Sequence, residues 1–237
     1  MASVQTAQRE GRGAIGHALS TFAKLIMWLF AALLLSIVLE WIGITWWWPE
    51  QGALHSLQMF RTEINYLATD VRRSLLVDDS ATYAANIAQT SYTWIWVKTG
   101  LRDAVDWAGQ TPAPDANVVR QGLFKIHDYL AATINVTQVF AVRLAILSLA
   151  MPVFLLAGLV GLVDGLVERD ARKFGGGRES SYVFHIAKQF LTPAIVLSWA
   201  IYLAMPVSVH PGWVVLPFAA LFGLALKITA STFKKYL

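Results

Sequence analysis

Residues 189–226 read QFLTPAIVLSWAIYLAMPVSVHPGWVVLPFAALFGLAL, and none of these 38 residues is Lys, Arg, Asp or Glu. The hydrocarbon core of a bilayer is about 30 Å thick, so about 20 apolar residues in an α-helix cross it. The run is long enough for two spans, and His210-Pro211-Gly212 interrupts it where a tight turn would join them. We therefore predict transmembrane helices at 190–208 and 212–230.

Two more apolar segments lie upstream of this run. Residues 144–163 carry no charge, and we predict that their span extends over 140–166. The first segment ends in WWWP at residues 46–49, and its predicted span covers 21–48. It is too long for the apolar core of a signal peptide, and no small-residue cleavage site precedes the tryptophans, so we interpret it as an anchor. The prediction is an all-α, polytopic membrane protein with four transmembrane helices.

The composition also indicates a membrane protein rather than a soluble enzyme. Hydrophobic residues make up 56% of the chain and charged residues 14%, against about 25% charged residues in a typical soluble domain. Cysteine is absent, which excludes a disulfide framework, a thiolate metal site and a cysteine nucleophile. Several of the ten tryptophans lie near the ends of apolar runs, as interfacial aromatic residues do.

Lys and Arg near the span ends predict the orientation, because cytoplasmic segments carry an excess of them. They concentrate in the N-terminal tail 1–20, in the loop 167–189 and towards the C-terminal tail 231–237. Segment 49–139, in contrast, holds seven basic and nine acidic residues. Four spans place the three basic segments on one side. We therefore predict that both termini are cytoplasmic and that 49–139 is a helical extracytoplasmic domain.

The predicted extracytoplasmic domain has helical periodicity. Apolar residues recur every three or four positions over 54–75, 83–105 and 119–134. The stretch SYTWIWV at 91–97 is rich in residues that favour strands, and TPAPDAN at 111–117 is a predicted loop in which Asp115 would cap the third helix. Because no helix breaker separates that helix from the second span, we predict one unbroken helix from about 116 to 168.

Polar and small residues within the spans predict how the helices pack. Glu40 in the first span and Arg143 in the second have matching depths, and charges in a membrane are costly unless paired. We predict a Glu40–Arg143 ion pair that acts as a packing clamp; the alternative is a proton or ion relay. Close helix packing is predicted along a stripe of small residues spaced by four, Ala157, Gly161 and Gly165.

The loop RDARKFGGGRESSYVFHIAK at 169–188 joins three glycines to a basic cluster. It lacks the GxxxxGK[ST] pattern and the preceding strand of a nucleotide-binding P-loop. The glycines can instead end the helix that continues from the second span, and a serine can cap the next helix. The charges either set only the topology or dock on a partner, and we favour a partner-docking elbow. Its predicted residues are Arg172, Lys173, Gly175, Gly176, Gly177, Arg178, Glu179, Ser180, His185 and Lys188.

No residue pattern predicts catalysis. The five histidines are scattered without carboxylates at metal-ligand spacing, and motifs such as GxSxG and HExxH are absent. We therefore expect no enzyme activity, no cofactor and no metal. The basic residues of the elbow and C-terminal tail lack an aromatic platform, so they predict at most a salt-sensitive, sequence-blind contact with DNA.

From Arg172 to Lys188, and in pattern over most of the chain, the sequence resembles the integrating conjugative element membrane protein family. The shared features are the basic N-terminal tail, the tryptophan-ended first span, the helical middle and the GGGRES loop. That family is a domain of unknown function encoded beside the coupling ATPase of conjugative type IV secretion systems. The resemblance implies a bacterial inner-membrane location and a role in DNA transfer, and it supplies no catalytic residues.

Three functional hypotheses follow. The leading one is a non-enzymatic inner-membrane component of a conjugative transfer apparatus, whose elbow contacts a partner such as the coupling ATPase and whose periplasmic helices contact channel parts. The second is a small transporter or channel with Glu40 and Arg143 in its path. The third is an entry-exclusion protein that acts through residues 49–139. All three place the chain in the lipid bilayer, and an oligomer is compatible with each.

Overall fold

A computed structural model describes residues 14–73, 80–113, 117–175 and 181–233. Within these ranges the chain is all-α, as predicted, and it forms eight α-helices and two π-helical turns. The helices are α1 (Ala14–Ile42), α2 (Ala53–Arg73), α3 (Ser80–Tyr92), α4 (Leu101–Ala108), α5 (Val118–Lys125), α6 (His127–Phe174), α7 (Ser181–Ala204) and α8 (Pro211–Ser231), and the π-helical turns are Gly43–Trp47 and Thr93–Val97.

Among the residues that the structure describes, four helices are long and apolar enough to cross a membrane. They are α1 with its π-helical turn, α6, α7 and α8, and each overlaps one of the predicted spans. A helix suits these segments because it satisfies every backbone polar group internally, as a bilayer requires. The break before α8 is caused by residues at the break itself. His210 caps the helix by accepting a hydrogen bond from the Gly212 N–H at 3.2 Å, and Pro211 begins the first turn of α8.

α6 is the helix around which the others pack. Its 48 residues correspond to about 72 Å, more than twice the thickness of a bilayer's hydrocarbon core. The first half of α6 contacts α1, α2 and α3, and the second half contacts α8. α2 runs parallel to the first half, because Asn135 lies beside Ala53 and Arg143 lies beside Glu63.

The prediction of an unbroken helix from about 116 to 168 is wrong. Ile126, with φ −98° and ψ 5°, interrupts the helix before α6 begins, and α6 then continues to Phe174. The N-cap of the short α5 is Asn117, whose side chain accepts a hydrogen bond from the Arg120 N–H at 3.0 Å. The predicted cap, Asp115, lies outside the described residues.

The stretch SYTWIWV stays helical despite its β-forming composition. Its last five residues form the π-helical turn Thr93–Val97. Gly100 then adopts a left-handed conformation with φ 72°, which glycine takes without strain, and the chain changes direction into α4. The strand preference of these residue types is therefore not realised here.

The main core lies where α1, α3, α7 and α8 meet the first half of α6. α2 adds Phe60 and Ile64 to its edge. The residues at its centre are almost inaccessible to solvent, and they include Val142, Leu147, Tyr202 and Leu203. This core holds α2 beside α6 and so brings Glu63 of α2 close to Arg143 of α6.

Candidate functional site

Two buried polar clusters lie along α2. We call them the arginine cluster (Glu63, Arg143 and Tyr202) and the histidine cluster (Glu40, Trp48 and His55). Glu40 and Arg143 are each 1% exposed, and Glu63 and Tyr202 are fully buried. Buried charges are rare unless they are paired or functional, so these clusters are candidates for a structural or functional role.

The arginine cluster is a closed hydrogen-bond network. The Arg143 guanidinium donates to Glu63 Oε1 from Nε at 2.9 Å and from Nη2 at 2.7 Å. It also donates to the backbone carbonyls of Met205 at 2.5 Å and Val207 at 2.8 Å. The Tyr202 hydroxyl donates to the second carboxylate oxygen, Glu63 Oε2, at 2.8 Å. Both carboxylate oxygens and all three guanidinium nitrogens are therefore occupied.

The same network fastens α2 to the connection between α7 and α8. The Ser208 hydroxyl donates to the Met59 carbonyl at 3.2 Å, and the rings of Tyr66 and His210 meet edge to face at 5.2 Å. Together with the two Arg143 bonds to this connection, they tie α2 and α6 to the end of α7. The arrangement joins elements from three distant parts of the sequence at one point.

The histidine cluster joins α1 to the start of α2. His55 Nδ1 lies 3.1 Å from Glu40 Oε1, and the His55 ring stacks on Trp48 with centroids 3.8 Å apart. The Trp48 ring in turn lies against Gly43, where a Cβ atom would overlap the indole. The π-helical turn Gly43–Trp47 therefore needs glycine at its first position to let the tryptophan cover the Glu40–His55 pair.

The predicted Glu40–Arg143 ion pair is wrong, because each side chain has a different partner. Arg143 pairs with Glu63 and Glu40 pairs with His55. Glu40 and Arg143 are both buried, as expected for charges inside the spans, but α2 supplies a nearer partner for each. Sequence analysis missed Glu63, although a signal existed: Glu63 stands among Phe60, Ile64 and Leu67 on the apolar face of α2, where a lone carboxylate needs a partner.

The stripe of Ala157, Gly161 and Gly165 lies against α8. A Cβ atom at Gly161 would overlap the Gly223 carbonyl, and one at Gly165 would overlap the Lys227 carbonyl. On the opposite helix, a Cβ atom at Gly223 would come within 2.7 Å of the Ala157 carbonyl oxygen. The two backbones therefore touch along this stripe. Beside the stripe, the Lys227 side chain pairs with Asp164 at 2.7 Å.

The predicted elbow is described only in part. α6 ends at Phe174, and the Gly175 N–H bonds to the Ala171 carbonyl at 3.2 Å. Gly175 is not left-handed, since its φ is −88°. Gly176, Gly177, Arg178, Glu179 and Ser180 lie outside the described residues. His185 and Lys188 are exposed on α7, whereas Arg172 pairs with Glu168 at 2.9 Å and Lys173 with Asp170 at 3.6 Å.

These arrangements fasten helices to one another. The described residues contain no group of histidines, aspartates and glutamates that could hold a metal ion. In the arginine cluster every side-chain nitrogen and oxygen has a partner, whereas in the histidine cluster Glu40 bonds to His55 and the buried Trp48 Nε1 has no partner. The arginine cluster and the stripe join helices that are far apart in sequence, and the histidine cluster joins α1 to the neighbouring α2.

A comparison with protein families finds a match. The family model described as "IncC plasmid conjugative DNA transfer protein DtrJ-like" matches residues 47–234. The match spans most of the chain, including α2 to α8 and the whole arginine cluster, and it confirms the resemblance to a conjugation-associated family. No curated protein and no solved structure matches the chain.

Proposed function

The chain belongs to the DtrJ-like family of conjugative DNA transfer proteins, and on that basis we propose that it is a non-enzymatic scaffold of the transfer apparatus in the bacterial inner membrane. Both termini would be cytoplasmic and segment 49–139 periplasmic. The elbow at 169–188 would dock on a cytoplasmic partner, for which the coupling ATPase of the apparatus is our candidate.

The observation that carries the proposal is the length of α6. A single helix of about 72 Å connects the buried clusters around α2 to the elbow at Phe174. A bilayer accounts for less than half of that length, so the helix reaches beyond the membrane. Such a helix suits a protein that holds its membrane-embedded part and a surface beyond the bilayer in a fixed relation.

The described part of the elbow favours an apolar contribution to docking. Phe174 is 94% exposed and Tyr182 is 75% exposed, one on each side of the glycines. The cations Arg172 and Lys173, in contrast, already pair with acidic residues of α6. Exposed aromatic residues are the usual anchors of protein interfaces. We therefore expect Phe174 and Tyr182 to contact the partner directly.

Crosslinking capture from membranes tests the docking role. The wild-type chain is compared with a glycine variant, Gly175–Gly177→Ala with Arg178→Ala, and with an aromatic variant, Phe174→Ala with Tyr182→Ala. We expect the wild type to capture the coupling ATPase and both variants to lose it at equal abundance, because the turn and its aromatic anchors are gone. The matched control carries Gln58→Ala and Arg61→Ala, two exposed positions on α2, and should capture normally.

The result that would overturn the docking role is capture of the same proteins by all four chains. The elbow would then be a turn that sets topology only. The transporter hypothesis receives no support from the geometry, since Glu40 and Arg143 lie in separate clusters and each pairs with a different side chain of the protein. The entry-exclusion hypothesis has no observation in its favour, and the mating experiment described below distinguishes it.

A further inference from the structure

A second surface of the molecule carries exposed aromatic residues beside cations. It runs from the end of α3 to α5, and we call it the aromatic belt (residues 92–113 and 117–125). Seven of its large apolar side chains are well exposed: Trp94 61%, Ile95 42%, Val97 48%, Leu101 47%, Trp107 49%, Val118 84% and Val119 69%. A water-soluble domain seldom exposes so much contiguous apolar surface without a binding role.

Each exposed tryptophan of the belt has a cation over its ring. Lys98 Nζ lies 3.6 Å from the ring centroid of Trp94, and the Arg120 guanidinium carbon lies 4.0 Å from that of Trp107. Arg120 also donates to the carbonyls of Ala108 at 3.0 Å and Gln110 at 2.7 Å. These bonds fix α5 on the end of α4, so the cation and the tryptophan are held together.

A third cation of the belt, Arg102, contacts a tyrosine. Arg102 bonds to the Tyr92 hydroxyl and lies near its ring, and it pairs with Asp106 at 2.8 Å. Arginine is charged at any ordinary pH, and the hydrogen bond to Asp106 raises the pKa of the Arg102 guanidinium further. The belt therefore presents apolar rings and fixed positive charges side by side.

The belt lies at the same end of α6 as the tryptophans of the first span. Gly109, at the end of α4, packs against the His127 ring at the start of α6. Trp41 donates to the Tyr129 carbonyl and to the Thr133 hydroxyl, each at 3.1 Å. Trp46 and Trp47, which follow Trp41 by little more than one turn, are 74% and 59% exposed. Aromatic residues from two separate segments thus gather around one end of the bundle.

We propose that the aromatic belt lies in the headgroup region of the bilayer that the helices cross, with its apolar side chains inserted and Lys98 and Arg120 facing phospholipid phosphates. Tryptophan is enriched at membrane interfaces because one end of the ring is apolar and the other is polar. Lysine and arginine complement it, since their apolar stems lie along the rings while their charges reach the phosphates. The aromatic belt is then an interfacial layer and not part of a domain free in the periplasm.

The local charges favour lipid over single-stranded DNA as the occupant. A DNA platform needs free ring faces for base stacking and a strongly basic track. In the belt, cations already cover the two tryptophan rings, and Asp103 and Asp106 offset part of the positive charge. Interfacial insertion requires neither free ring faces nor a large net charge, and the belt is continuous with a helix that crosses the membrane.

Depth measurements on single-cysteine variants test the proposal, and the chain has no native cysteine to interfere. Val97→Cys and Val118→Cys report on the belt, and Thr111→Cys in the adjoining polar loop is the matched control. Each variant is labelled with an environment-sensitive fluorophore and reconstituted in vesicles of phosphatidylcholine, alone or mixed with phosphatidylglycerol. We expect labels at 97 and 118 to be quenched severalfold more strongly by brominated lipid than the label at 111.

Three outcomes would overturn the proposal. Equal quenching of all three labels by aqueous iodide, with none by brominated lipid, would place the belt in water. Protection of the belt labels only after addition of a single-stranded oligonucleotide would assign the surface to nucleic acid. Protection by a copurifying protein, lost when that protein is removed, would assign it to a protein interface.

Discussion

Arg143→Met is expected to destabilise the folded protein by about 3–5 kcal/mol, because it leaves Glu63 buried without its cation. Glu63 is fully buried and bonds to Arg143 through two nitrogen atoms at 2.7 and 2.9 Å. The substitution also frees the carbonyls of Met205 and Val207 at the end of α7. The measurement is the midpoint of thermal unfolding in detergent, followed by helical circular dichroism, together with the abundance of the protein in membranes.

A matched surface substitution and a double variant sharpen this prediction. Arg172→Met removes an exposed partner of Glu168 and should cost less than about 1 kcal/mol. The double variant Arg143→Met with Glu63→Leu removes both charges and should recover much of the lost stability. If the single variant Arg143→Met unfolds at the wild-type temperature, the buried pair is not a clamp. If the double variant folds but DNA transfer fails, the charges serve a function beyond packing.

Gly161→Leu is expected to separate α6 from α8 and to prevent stable assembly of the last two helices. Even a Cβ atom at this position overlaps the Gly223 carbonyl, which belongs to the backbone and cannot rotate away. Overpacking of a tight core costs about 1–3 kcal/mol, and more where the backbone must move. The expected result is a lower unfolding midpoint and faster proteolysis between α7 and α8 in membranes.

Gly122→Ala is the control for this prediction. Gly122 lies within α5 and a Cβ atom there meets nothing within 4 Å. Alanine is a better helix former than glycine by about 0.5–1 kcal/mol, so the control should be neutral or slightly stabilising. Equal unfolding midpoints for Gly161→Leu and the wild type would mean that the two helices do not touch along the stripe in the folded protein.

The candidate membrane helices could be predicted from the sequence because they depend on local composition. A run without charges at 189–226, broken by His210-Pro211-Gly212, contains enough information to place α7 and α8. The end of α6 beside Gly175 is a local feature as well. The break at Ile126 was missed, since that residue carries no turn signal, and its conformation depends on how α5 packs beside α4.

The buried clusters could be predicted only in part, because their pairings depend on where α2 packs. Glu40 and Arg143 were recognised as costly charges that need partners, and they are indeed buried. Arg143 pairs with Glu63, which is 80 residues away in the sequence, and Glu40 pairs with His55, 15 residues away, where the chain turns from α1 into α2. Periodicity places Glu63 on the apolar face of α2 but does not say which helix that face meets. The aromatic belt was missed because its cation–ring contacts depend on the fold. Lys98 stacks on Trp94 one turn earlier, and Arg120 on α5 stacks on Trp107 of α4.

The central claim is that the chain serves conjugative DNA transfer from the membrane of the donor cell. The direct test is the frequency of transfer from donors that lack the chain, with the wild-type chain resupplied either in the donor or in the recipient. We expect the transfer frequency to fall by orders of magnitude when the donor lacks the chain and to recover when the donor carries it. The presence of the chain in the recipient should not change the transfer frequency. Unchanged transfer from the deleted donor would contradict the claim, and a fall seen only when the recipient carries the chain would identify an entry-exclusion protein instead.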